Sequence, residues 1–253
     1  MKNFFKNIYK KFIKTIFYIL YGKISILHKN SKLIKKKKLN KKFFNGKEYF
    51  IYEIKNGAVF TDNVQNVAAI SNNKLHVPSS FQHANDKLVS ARFNPVIKNG
   101  TTSIRSKYIG SVISLVQGAS TENYFHWLMD ILPKIRIYAE SYPIDKTKYF
   151  YLSNLTNSQK ESLKYLGINK KQLINSKLQK HIIASRMIFI SHPWYTKGKF
   201  HDQSYKLPKW IIKWIRKTFL KYKKKFKTSK KIYLDRSESK YLHCQIIKHL
   251  LPT

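Results

Sequence analysis

One stretch of this chain gathers side chains able to do chemistry: Gly118-Ala-Ser-Thr-Glu-Asn123-Tyr-Phe-His126-Trp-Leu-Met-Asp130-Ile-Leu-Pro133. On a helix at about 100° per residue, Asn123, His126, Asp130 and Lys134 fall at about 0°, 300°, 340° and 20°. Tyr124, Leu128, Ile131, Leu132 and Ile135 fall between about 80° and 180° on the same wheel. One face suits a core; the other carries a carboxamide, an imidazole, a carboxylate and an ammonium group. His126 and Asp130 are i,i+4 neighbours, so the carboxylate can orient or charge the imidazole. That is the layout of a general base backed by a carboxylate. The same spacing also serves a solvent-facing surface pair.

The surrounding pattern says what positions this segment. Tyr108–Gln117 reads as a strand closed by Gly118, and 122–140 as the helix that follows. A helix beginning just after a strand and a glycine turn offers free N–H groups to anions. In open α/β sheets ligands bind at that edge, and one solvent-accessible concavity lined by Asn123, His126 and Asp130 is expected there. Tyr49–Ile54, Ala58–Thr61 and Asn66–Ile70 read as short strands, with Asn-Gly and Asn-Asn turn signals between them. Residues 76–103 are polar and loop-like. Lys148–Leu152 and Arg186–Ser191 read as strands, the second ended by His192-Pro193. Ser158–Leu166 reads as a helix capped by Thr156 or Asn157 and stopped by Gly167, and Pro208–Phe226 as a longer helix. Ile232–Asp235 opens one more strand. Strands alternating with helices predict an α/β domain on a largely parallel sheet, and no internal repeat is present.

Composition narrows the function classes. The chain has 253 residues, 43% of them hydrophobic, enough to bury a sizeable core. The single Cys244 excludes a disulfide scaffold and a Cys-based zinc site. None of the eight glycines are two apart, so dinucleotide-binding and Walker-type glycine loops are absent. His192, His201 and Asp202 lack the close spacing of a metal set, and no metal is expected. No nucleophile-elbow motif is present. Trp194, Trp210 and Trp214 read as packing residues, with Trp194 placed to line a cleft. The net charge of +38 invites a nucleic-acid reading. Yet only six of the 50 cations are Arg, the residue whose bidentate fork grips bases and phosphates best. The lysine surplus reads as compositional drift on the surface, and no specific nucleic-acid partner is expected.

Residues 1–20 have a pattern of their own. Phe4, Phe5, Ile8, Tyr9, Phe12, Ile13, Ile16 and Phe17 recur in pairs, with Lys2, Lys6, Lys10, Lys11 and Lys14 between them. On a helix this makes an aromatic-aliphatic stripe beside a cationic face. The uncharged run Thr15–Gly22 falls far short of the ~20 residues that span a bilayer. Two readings stand: an interfacial helix on an anionic membrane, or a helix packed on its own domain. Lys29–Lys42 then reads as a solvated basic linker.

The segment Asn123–Pro133 resembles the N-Y-[FY]-H-[FW]-L-x-D-x-L-P-[RK] motif of glycosyltransferase family 61, the capsular-polysaccharide-biosynthesis type. Gln159-Lys-Glu-Ser-Leu-Lys-Tyr-Leu-Gly-Ile168 is similar to the family's Q-x-E-x-L-x-x-L-G-I helix. Lys231-Ile-Tyr-Leu-Asp-Arg236-Ser237 resembles its K-x-[IV]-Y-[IL]-S-R strand, with Asp235 where Ser is usual. The matches are collinear from about residue 50 to 237. The resemblance implies a Rossmann-like N-terminal domain of a two-domain, GT-B-type enzyme. It implies an inverting, metal-independent transfer of a sugar from a nucleotide-sugar donor, with no other cofactor, to a glycan or glycolipid acceptor in surface (capsular or lipo-) polysaccharide assembly. Absence of any D-x-D pair among the six Asp agrees.

By the same resemblance, His126 is the general base or acceptor-orienting group and Asp130 raises its basicity. Asn123, Trp127 and Lys134 would bind substrate, and Arg236 with Ser237 would hold the leaving diphosphate. The expected division is residues 1–46 as basic helix and linker, 47–205 as the α/β domain, 206–230 as connecting helix, and 231–253 as first strand of a second domain plus tail. After Ser237 the text departs from the family's R-x-[IV]-x-N-E continuation, and 241–253 read as an aberrant tail. A truncated second domain, and a chain inactive as it stands, are the expectation. The location implied is cytoplasmic, peripheral at the inner membrane face. A non-catalytic basic module binding membrane or nucleic acid is the alternative class.

Overall fold

The computed structural model of the chain describes residues 2–27, 32–40, 44–80, 83–84, 87–88, 90–117, 123–195, 198–204 and 206–222. In chain order its elements open with helix α1 (Lys2–Tyr21) and strands β1 (Ser25–Ile26), β2 (Ile34–Asn40), β3 (Glu48–Thr61), β4 (Val67–Ser71) and β5 (Lys74–Leu75). A small hairpin of β6 (His83–Ala84) and β7 (Lys87–Leu88) and the short helix α2 (Pro95–Asn99) lead to β8 (Arg105–Ser114). Then come α3 (Tyr124–His126), a π-helical turn (Trp127–Ile131), α4 (Leu132–Ala139), β9 (Tyr149–Leu152) and α5 (Asn157–Tyr165). β10 (Leu173–Asn175), β11 (His181–Ile190), α6 (Phe200–Ser204) and α7 (Lys209–Phe219) complete the set.

The strands form an open sheet in the order β1-β5-β4-β3-β11-β8-β9-β10, with β2 also paired to β3. β11, β8, β9 and β10 run parallel to one another, and β3 lies antiparallel against β11. The chain is therefore a mixed α/β fold whose parallel strands are compatible with a Rossmann-like layer. Because those four are parallel, their C-terminal ends share one edge of the sheet.

β3 departs from the expectation of two strands and an Asn-Gly turn. It runs on through Asn56 and Gly57, with Asn56 in the left-handed region at φ 46°. Phe50, Tyr52 and Ile54 join one core cluster before this point and Val59 joins it after, a spacing of odd number. The left-handed residue thus flips the in/out alternation instead of reversing the chain, while the register with β11 runs unbroken from Ile51↔Ile190 to Phe60↔His181. Asn tolerates that conformation, and a Cβ on Gly57 would come within 2.7 Å of Ile54.

Residues 34–40, inside the expected basic linker, are strand β2, paired antiparallel with β3 from Ile34↔Ile54 to Asn40↔Glu48. Leu39 is buried while most of its lysines stay in solvent, where they keep the exposed edge from pairing with another chain. The boundary expected at 46/47 is accordingly not there. Nor is the one at 205/206: Trp210 and Ile211 of α7 sit in the same cluster as Phe44, Tyr49 and Ile51. Residues 1–220 form one compact unit. The strand expected at 232–235 lies outside the described residues. Thr156 caps α5 in a full capping box with Gln159, as its Thr-x-x-Gln spacing predicts. No described helix is long and apolar enough to cross a membrane.

Candidate functional site: a buried carboxylate between two imidazoles

Gln117 follows β8 and His192 follows β11, so the two neighbouring parallel strands deliver both side chains to the same sheet edge. Asn123 caps the helix that returns over this edge, its Oδ1 accepting from the Phe125 N–H at 2.9 Å. The helix widens into the π turn Trp127–Ile131 just before Pro133. Proline cannot donate to the carbonyl four residues back and its ring crowds that carbonyl, and a wider turn relieves both. Asp130 lies in this turn and points inward.

Asp130 is fully buried. Its Oδ2 accepts from His126 Nδ1 at 2.7 Å and from Gln117 Nε2 at 2.9 Å. Its Oδ1 accepts from the Trp194 indole N–H at 2.6 Å. His192 Nε2 stands 3.5 Å from Oδ2. One turn on, Lys134 is buried and donates to Gln117 Oε1 at 2.7 Å. Gln117 thus ties the carboxylate to the ammonium group without their touching.

The hydrogen bonds assign the tautomers. Backbone N–H groups of Tyr195 and Trp194 point at His192 Nδ1, at 2.9 and 3.4 Å. That nitrogen is an acceptor, and the proton sits on Nε2 beside Asp130. His126 donates Nδ1–H to the carboxylate, which makes Nε2 its basic nitrogen. Burial, the largest influence on Asp130, raises its pKa, but the charge and hydrogen bond of His192 and the bond from His126 outweigh it and hold the carboxyl well below the usual range. Burial pushes the His192 imidazole down, against the pull of Asp130. Burial also lowers Lys134 to about 8, with Asp130 opposing. Asp130 is held as the carboxylate, with N–H groups of His126, Gln117 and Trp194 donating to it.

Several expected site residues stand elsewhere than the wheel implies. Asn123, His126 and Asp130 do not share one open concavity: Asn123 is exposed as a cap, His126 is half-buried, and Asp130 is enclosed behind it. A wheel ranks faces by polarity, and here the polar face meets the polar ends of β8 and β11. Trp127, expected to bind substrate, is a core residue whose indole donates to Ser162 Oγ at 3.1 Å. Lys134, expected likewise, spends its ammonium group on Gln117. Arg236 and Ser237 lie outside the described residues. Gln117 was missed, although a polar residue closing a buried parallel strand is itself a signal. His192 and Trp194 were set aside as an unsupported metal ligand and a packing residue; only the fold brings them to Asp130.

Among the described residues no group of three or more His, Cys, Asp or Glu is arranged to hold a metal ion. A cavity of about 250 Å³ lies further along the same edge, at the ends of β9 and β10, lined in part by Ser153, Asn154, Lys160, Lys170 and Asn175. It shares no residue with the Asp130 cluster. In the Asp130 cluster a carboxylate is held fully buried against an imidazole that is partly exposed. Among known protein families, curated proteins and solved structures, none matches this chain.

Proposed function

We propose that this chain is the α/β unit of a family-61-type glycosyltransferase, moving a sugar from a nucleotide-sugar donor to a glycan or glycolipid acceptor in surface-polysaccharide assembly. The observation that carries the reading is the 2.7 Å bond between His126 and the buried Asp130, inside the segment that resembles the family. The acceptor hydroxyl gives its proton to His126 Nε2 while its oxygen bonds to the anomeric carbon. The bond from that carbon to the nucleoside diphosphate breaks in line, with inversion. Asp130 stabilises the imidazolium that forms, and its fixed position spares the imidazole any reorientation. By the resemblance, Arg236 and Ser237 would hold the leaving diphosphate, without a metal. Asn123 serves as helix cap first, and Trp127 and Lys134 support the site from within the core. The reaction belongs at the cytoplasmic face of a membrane, with the protein peripheral to it.

The test is an assay of sugar transfer and of donor hydrolysis with UDP- and GDP-linked sugars, on a complete homologue and on its variant with Ala at the position matching His126. Saturable donor turnover that collapses in the variant supports the reading; turnover indifferent to His126 sinks it. The second reading, a basic binding module, rests on the +38 charge. A DNA titration across a salt series separates it: a site with sequence preference at physiological salt would favour that module, and steep, form-indifferent salt dependence marks the lysine surface alone.

A further inference from the structure

The geometry of α1 points to a membrane-surface anchor: we propose that its outward apolar face lies in the headgroup layer of an anionic bilayer while its last turn is fastened to the α/β core. This inference stands independently of the transferase reading.

The fastening is specific. Phe17 is fully buried with its ring 6.1 Å from Phe60, and the Tyr21 ring lies 4.7 Å from the same Phe60. Tyr21 donates its hydroxyl proton to the Ser103 carbonyl. Gly100 packs so closely beneath that a Cβ there would come within 2.9 Å of Phe17 Cβ.

These contacts use the wrong side of the helix for its main apolar stripe. With Phe4 set at 0°, Phe17 and Tyr21 lie at about 220° and 260°. Phe4, Phe5, Ile8, Tyr9, Phe12 and Ile19 occupy the opposite arc, between about 0° and 140°. These six are between 50% and 77% exposed, so the burial that explains the helix's last turn leaves its largest side chains in water. A helix merely packed on its domain would present this stripe inward. The contiguous face is too apolar to be an ordinary solvated surface.

Charge selects the occupant. Lys6 and Lys11 fall at about 200° and 340°, one on either side of the stripe, and Lys10 and Lys14 at about 240° and 280°, across the helix from it. No Asp or Glu precedes Glu48. Aromatic and aliphatic side chains on one face with lysines at its rims are what an interfacial helix needs on anionic lipid. A second copy would bring like-charged rims together, and nucleic acid would use the lysines and leave the aromatic stripe in water.

The experiment is co-sedimentation of the full chain with vesicles of phosphatidylcholine alone or mixed with phosphatidylglycerol, at physiological salt. Phe5→Ser/Phe12→Ser alters exposed positions only and changes no charge, whereas Lys160→Glu/Lys170→Glu lowers the net charge by four far along the chain. We expect wild type to bind the mixed vesicles and not the neutral ones. The serine pair should weaken that binding at least about tenfold, from lost apolar burial, and the glutamate pair by less than about threefold. Equal binding by the serine pair overturns the proposal, since charge elsewhere then carries the attraction. So does equal binding to neutral vesicles, which removes the anionic partner. A wild-type dimer on sizing chromatography that the serine pair turns into monomer, without vesicle binding by either, would assign the face to a second copy instead.

Discussion

His126 Nδ1 and Asp130 Oδ2 lie 2.7 Å apart across a single π-helical turn, the carboxylate enclosed and the imidazole at the surface side of it. The pair seats a partly exposed imidazole on a fully buried carboxylate. In a complete homologue, Ala at the position matching His126 should lower kcat/KM of sugar transfer by about 10²-fold or more, the usual contribution of a positioned base. The melting temperature should stay within a few degrees, because His126 is the least buried member of the cluster. A drop in stability matching that of Asp130→Ala would instead make His126 a structural residue.

Asp130→Ala should cost about 3–5 kcal/mol of folding stability. The change strands N–H donors of His126, Gln117 and Trp194 in a dry interior and leaves the buried Lys134 cation without its counter-charge. Trp194→Phe keeps the ring packing and removes one hydrogen bond to a charged acceptor, so it should cost about 1.5–3 kcal/mol. Urea unfolding of both variants checks the order; an Asp130→Ala protein as stable as wild type would mean the cluster is not the closed network described.

Gly100→Ala should destabilise by about 1–3 kcal/mol. Gly100 sits at φ 72° and ψ 173°, a region open essentially to glycine alone, and the new methyl would collide with Phe17. The loss should be local, so protease cleavage within the first twenty residues should quicken before global unfolding changes. Unaltered cleavage would place the fastening of α1 elsewhere.

Acid should weaken the fold well above the carboxylate range. Burial lowers His76 to about 4. Burial first, then the charges of Arg105 and Lys180, lowers His181 to about 3. Both lie below the ~6.5 of an unfolded imidazole, so the unfolded chain takes up these protons first. The stability is full above about pH 6.5 and falls as pH drops toward about 4. Depressed Asp130 adds a further loss below the unfolded carboxylate value of about 3.9. Melting temperatures from pH 7 to pH 4 test this. His181→Phe should flatten the slope, because the ring stacked on Phe60 no longer titrates.

Local rules made much of this molecule legible. The capping box of α5, the strand through Tyr108–Ser114 and the helix carrying His126 and Asp130 at i,i+4 follow from residue spacing, since each depends on neighbours a few positions away. The apolar and cationic stripes of α1 are visible in the same manner. Tertiary structure decided what those stripes meet. A wheel can show that His126, Asp130 and Lys134 share a face, but whether it meets water or the polar ends of two strands depends on Gln117 and His192, 75 residues apart in the chain. The same holds for β2 and for Asn56: pairing with β3 turns a lysine run into a strand, and pairing with β11 carries an Asn-Gly pair straight through in unbroken register, because ladder hydrogen bonds come from distant segments that no local pattern encodes.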